Sequence, residues 1–147
     1  MLEAMEWARN NSNFNSSSRV AMIHAQTLRE DQLDRMVELD IIPSFFPVHL
    51  YYWGDKHYNI FLGPTRANRM NPIGSALRRN LTYTLHNDSP VVLAGVVNGI
   101  NTFLQVISSA VNRMTSSGRV LDDGSQKISV YDALKGVTIN SAYQARQ

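Results

Sequence analysis

The chain has 147 residues, 44% of them apolar and 18% charged, with two Trp, six Tyr and five Phe; this is enough apolar mass for a packed core and excludes general disorder. Its net charge of +2 and pI near 9.1 come from Lys and Arg spread along the whole length, without the basic block that marks a nucleic-acid binder. Cysteine is absent, so disulfides and thiolate sites are excluded and any metal must be held by His and carboxylates.

Residues 1–9 set Leu2, Met5 and Ala8 at helical spacing and predict an amphipathic helix with no start signal. The same stretch carries Glu3 and Glu6 and no basic run before an apolar core, so it does not read as a secretory signal, and a cytoplasmic location is expected. Residues 10–18, mostly Asn and Ser, predict a solvated loop, and residues 19–24 a strand ending on His24. Thr27 and Glu30 match a capping box, which predicts a helix to about Leu39 with Leu33, Met36 and Val37 on one face. A second strand is expected at 41–46, short or irregular because Pro43 cannot donate to a ladder. Residues 47–80, with Pro64 and Pro72, read as mixed loop and short helix, a length of connection that tends to carry function.

A third strand is predicted at 81–85, closed by His86, Asn87 and Asp88. Ile100, Phe103, Leu104, Ile107, Val111 and Met114 then keep helical spacing with an inward apolar face. The uncharged run 89–112 holds Pro90, Gly95, Asn98, Gly99, Asn101 and Gln105, which argues against a membrane span. Gly118 and Gly124 mark turns, and Ser129 caps a helix through Ala133, Leu134 and Val137. Alternating strands and helices give an α/β class with parallel strands. Three such units are too few for a closed barrel of about 250 residues and would leave two open sheet edges. Residues 1–147 are therefore read as a piece of a larger parallel-strand architecture.

In barrels of parallel strands the reactive side chains sit where strands end and loops begin. His24, at such an end, is either a metal ligand or a satisfied buried histidine. Asp88 is either a general base or ligand, or the N-cap of the next helix before Ser89 and Pro90. His86 shares a face with Asp88 if the strand continues, and either orients the substrate or that carboxylate, or simply packs. His49, Tyr51, Tyr52 and Trp53, with Asp55 and His57 close behind, form either a pocket wall or a packed loop. Arg66 either clamps an anionic group or is solvated or ion-paired.

Taken in order, Ile23-His24-Ala25-Gln26, then Ser44 to His49 with Tyr51 to Asp55, then Leu62 to Ala67, then His86 to Pro90 resemble the C-terminal part of amidohydrolase family 3, the branch that includes N-substituted formamide deformylase-like proteins. The tail from Val130 to Tyr143 is similar to that family's final helix pair. The resemblance implies strands six to eight, with their helices, of a TIM-like barrel in a metal-dependent hydrolase that splits non-peptide carbon–nitrogen bonds with metal-activated water. It implies that His24 binds metal, that Asp88 shuttles the proton, and that His49, Trp53, Arg66 and His86 bind substrate.

His and carboxylate ligands suit zinc, iron or manganese, with zinc as the expectation. The family's His-x-His pair, its acidic or carbamylated-lysine ligand and its fifth-strand His have no counterpart here. His24 and Asp88 alone fall short of the three ligands of a catalytic zinc, so the metal is expected in the complete enzyme and the 147 residues are expected to be inactive alone. The expected partners are a small-molecule amide and either a second copy or the missing N-terminal part of the barrel, with neither nucleic acid nor membrane. The alternative is a non-catalytic, self-associating part-barrel.

Overall fold

A computed structural model of the chain describes residues 1–12, 19–88 and 99–147, and all of their side chains except those of 99–102. Three parallel strands, β1 (Val20–His24), β2 (Ile41–Phe45) and β3 (Thr84–Leu85), form a sheet in the order β1-β2-β3. Helix α1 (Leu2–Asn11) precedes β1, and α2 (Glu30–Glu38) connects β1 to β2. The third strand is two residues long where five were expected. Of the predicted loop at 10–18, Asn10 and Asn11 are helical and 13–18 lie outside the described residues.

Pro43 does not make β2 irregular; the strand is wholly buried at the centre of the sheet. His86 donates its N–H to the carbonyl of Phe45 (2.9 Å), so Phe45 faces β3, and Pro43, two residues earlier, faces the same way. On that side β3 is paired only from Ser44 onward, so the proline's missing donor costs no ladder bond. The helix start at residue 30 also differs from expectation. The capping side chain is Gln32, whose Oε1 accepts from the Arg29 N–H at 3.0 Å, while Glu30 is drawn into ion pairs with Arg69 and Arg79.

The segment 47–80 is far more helical than its prolines suggested. It comprises α3 (Val48–Lys56), a π-helical turn (His57–Phe61), α4 (Gly63–Asn68) and α5 (Ile73–Arg78). Pro47 is the N-cap of α3 and Pro72 that of α5, and Pro64 lies in the first turn of α4, positions where a missing N–H is harmless. After β3 come α6 (Gly99–Asn112), α7 (Val130–Val137) and α8 (Ile139–Gln144). Ser129 caps α7 as predicted, its Oγ accepting from the Asp132 N–H at 3.1 Å.

The core lies between the sheet and the helices, where Leu33 and Met36 of α2, Ile41 and Phe45 of β2, Val106 and Ala110 of α6 and Ala133 of α7 are buried together. Only one stripe of α6 faces it, because Phe103 and Leu104 are each 58% exposed. A smaller cluster of Leu50, Ala67, Met70 and Leu121 joins α3 and α4 to the segment after α6. Arg113 locks that junction from inside. Fully buried, it donates Nε–H to the Leu121 carbonyl (2.6 Å) and its Nη groups to the carbonyls of Asn71 (3.0 Å), Asn68 (3.2 Å) and Met70 (2.5 Å). Among the described residues no helix is long and apolar enough to cross a membrane.

Candidate metal centre

Because the strands are parallel, their C-terminal ends share one rim, and the chemistry-bearing residues gather there. β1 delivers His24 as its last residue, β2 is followed by Phe46, and β3 is followed by His86 and Asp88. β1 and β3 are two strand spacings apart, roughly 9.5 Å. The rings of His24 and His86 nevertheless stand only 5.1 Å apart, so both side chains lean over the end of β2. Phe46 supports them from below, stacked on His86 at 5.3 Å and tilted against His24 at 5.7 Å.

The backbone at these ends is bent out of the extended form. His24, Ala25 and Asp88 take φ of 68°, 46° and 52°, a left-handed region that costs side-chain-bearing residues of order 1–3 kcal/mol. Such strain persists only where the surroundings impose it. Here it accompanies an approach of His24 Nε2 to Asp88 Oδ2 of 3.8 Å.

One donor atom each from His24, His86 and Asp88 lies within 4.8 Å of the others. Ligands around a tetrahedral ion with bonds of about 2.0–2.1 Å stand roughly 3.4 Å apart, so small rotations of these side chains would bring them to coordination distance. His24 Nδ1 and His86 Nε2 are buried without a hydrogen-bond partner. A bare buried nitrogen is costly, and an ion satisfies it. Burial, then the neighbouring His24, holds the His86 pKa below its ordinary value, which favours the neutral, ligating form.

A cavity of about 200 Å³ opens beside this group, lined by His24, Gln26, Phe46, His49, Trp53 and Asp88. His49 and Trp53, one turn apart on α3, pack ring to ring at 4.6 Å, and His57 at the start of the π-helical turn stands 5.0 Å from His49. A π turn inside a helix is rare and frequent at functional sites. Burial, with His57 and His24 nearby, lowers the His49 pKa to about 4, and burial lowers that of His57 too. Gln26 Nε2 lies 2.8 Å from His49 Nδ1.

The structure thus brings His24, Asp88, His49 and Trp53 to one cavity. His86 joins the donor group but lines a neighbouring cavity of about 210 Å³ with Ser44, Thr84 and Ser141. Arg66 is elsewhere, in a cavity of about 400 Å³ with Thr27, Arg29 and Arg69, and its Nε–H donates to the Leu62 carbonyl at 3.0 Å. Sequence reasoning assigned His86 to substrate; the structure sets its ring beside that of His24 in a group whose donor atoms could hold an ion, and its spacing of two from Asp88 was a usable signal for that grouping. Gln26 and His57 were part of the motifs read from the sequence but were given no individual role there. The N-cap reading of Asp88 concerns a helix start outside the described residues.

Among curated proteins none matches the chain. Two solved structures share its fold. One is a metal-dependent hydrolase of Pyrococcus furiosus, 24% identical with a TM-score of 0.69, matched over 99% of this chain and 26% of its own. The other is a metal-dependent hydrolase of Pyrococcus horikoshii OT3, 19% identical with a TM-score of 0.71, matched over 97% and 27%. The chain therefore spans about a quarter of the length of these structures. A family model described as the amidohydrolase family matches residues 1–147, and the chain belongs to that family.

Proposed function

We propose that the chain forms one side of the active site of a zinc-dependent hydrolase that cleaves non-peptide carbon–nitrogen bonds, in a TIM-like barrel of which these strands are the sixth to eighth. Within the amidohydrolase family the reading extends to the formamide deformylase-like branch, which its motifs resemble. The observation that carries the reading is the convergence of His24, His86 and Asp88 donors within 4.8 Å on one rim. When bound, a divalent ion would lower the pKa of its water to about 7 and polarise the carbonyl under attack. The chain's own residues do the rest. His24 and His86 would hold the ion through ring nitrogens, two of which, His24 Nδ1 and His86 Nε2, are buried without a hydrogen-bond partner. Asp88 takes the water's proton and returns it to the leaving nitrogen, while Phe46 and Trp53 wall the substrate and keep out bulk water.

With Asp88 moving a proton, His24 and His86 are the remaining ligands, one short of the three that a catalytic zinc takes. The isolated chain is therefore expected to bind an ion through all three groups and to turn nothing over. Equilibrium dialysis of the 147-residue protein against Zn²⁺ tests the reading. About one ion per chain is expected, with affinity falling at least about ten-fold in His24→Ala and in His86→Ala. Equal binding by the wild type and both variants, or turnover of an N-formyl amide by the purified chain alone, would refute it.

A further inference from the structure

The contact between Gln26 and His49 has a chemical polarity. Gln26 presents its amide nitrogen, a donor only, to His49 Nδ1 at 2.8 Å, so Nδ1 must accept. A neutral imidazole that accepts at Nδ1 carries its proton on Nε2. Burial keeps His49 neutral at pH 7. Its ring cannot readily turn, being packed against Trp53 at 4.6 Å, His57 at 5.0 Å and Phe46 at 5.6 Å. The Gln26 backbone is itself anchored: its main-chain carbonyl accepts from the Asn71 N–H at 2.7 Å, and the Asn71 main-chain carbonyl accepts from Arg113 at 3.0 Å. Both Gln26 and His49 line the cavity that also holds His24 and Asp88.

We propose that Gln26 is a positioning residue that locks His49 in the Nε2–H tautomer, and that this N–H donates a hydrogen bond to the carbonyl oxygen of the amide substrate as it becomes an oxyanion. The role rests on the hydrolase reading above. A neutral imidazole is suited to it, because it offers a fixed dipole where negative charge develops and does not surrender a proton that Asp88 must manage. Preorganisation comes from the chain Arg113, Asn71, Gln26, His49, which fixes the donor before substrate arrives.

Nitrogen-15 NMR of the histidine-labelled 147-residue protein at pH 7 reads the tautomer directly, with the His49 signals assigned by their loss in His49→Gln. The wild type is expected to show an unprotonated Nδ1 and a protonated Nε2. In Gln26→Glu the carboxylate can only accept, so the proton should move to Nδ1. A wild-type proton on Nδ1, or no change in Gln26→Glu, overturns the assignment, and the wild-type spectrum decides even if a variant fails to fold. Methylphosphonate, a small tetrahedral oxyanion, then probes the donor on the Zn²⁺-loaded protein. It should shift the His49 Nε2 signal in the wild type and bind about ten-fold more weakly to Gln26→Glu, and also more weakly to uncharged Gln26→Leu. Equal binding by all three, or no shift in the wild type, overturns the donor role. Metal binding measured on the same samples keeps the readings apart: its absence with the expected tautomer refutes the metal centre, and the wrong tautomer with metal bound refutes only this inference.

Discussion

Replacing Arg113 by Met should lower the stability of the fold by about 3–5 kcal/mol. The guanidinium is fully buried and donates to four backbone carbonyls, those of Asn68, Met70, Asn71 and Leu121. Burial pushes its pKa well below the ordinary arginine value, to about 10, which means that the interior disfavours the charged form by roughly 3 kcal/mol. Hydrogen bonds from a charged donor are worth roughly 1.5–3 kcal/mol each, so four of them outweigh that cost even at the low end. Methionine fills a similar volume but leaves the carbonyls without a donor. Urea denaturation followed by circular dichroism would read the loss, and thermal melting should show a midpoint lower by about 10 °C. Arg113→Lys, which can reach only some of the carbonyls, should fall between the two. A Met variant within about 1 kcal/mol of the wild type would refute the reasoning, since it would mean that the cost of burying the charge cancels the bonds it makes.

The histidines of the site make stability depend on pH with a definite sign. His49, His57 and His86 all have folded pKa values below the ordinary 6.5, His49 at about 4, so between those limits the unfolded chain binds more protons than the folded one. Stability should be full above about pH 6.5 and decline as pH falls towards 4, the His49 share being about 1–2 kcal/mol after allowance for its partial exposure. Denaturation midpoints at pH 7 and 4.5 would show this, and a slope unchanged in His49→Gln would count against it. Gly74→Ala should destabilise although alanine favours helices, because its Cβ would lie 2.2 Å from the Ser125 carbonyl oxygen and 2.9 Å from Gln126 Cα. Those are backbone atoms on a segment tied to α5 by Gln126 and Ser75, so a cost of about 1–3 kcal/mol is expected. A melting curve no lower than that of the wild type would show that the segment yields.

Residues 20–24 and 41–45 are near-continuous apolar runs, and that sufficed to recognise both strands, although only β2 is buried throughout and Ile23 of β1 is 57% exposed. The helices from 30 and 130 announced themselves by spacing, and the second also by its serine cap. The helical content of 47–80 was hidden, because Pro47, Pro64 and Pro72 look like loop residues until their positions at helix starts are known. Pro43 misled in the same way. Whether a proline harms a strand depends on which neighbour its nitrogen faces, and that is a property of the ladder rather than of the residue.

His24 and Asp88 could be singled out from the sequence because each ends a strand run, and parallel strands bring such ends to one rim whatever the details. Local pattern therefore determined the α/β class, the strand ends and the residue types available for metal and proton. Only the tertiary structure decided that His86 reaches across β2 to His24, that Arg66 lines a different cavity, and that Gln26 faces His49 Nδ1. These depend on side-chain direction and on contacts between residues far apart in the chain, and such distances are set by packing, which no periodicity along one strand or helix encodes.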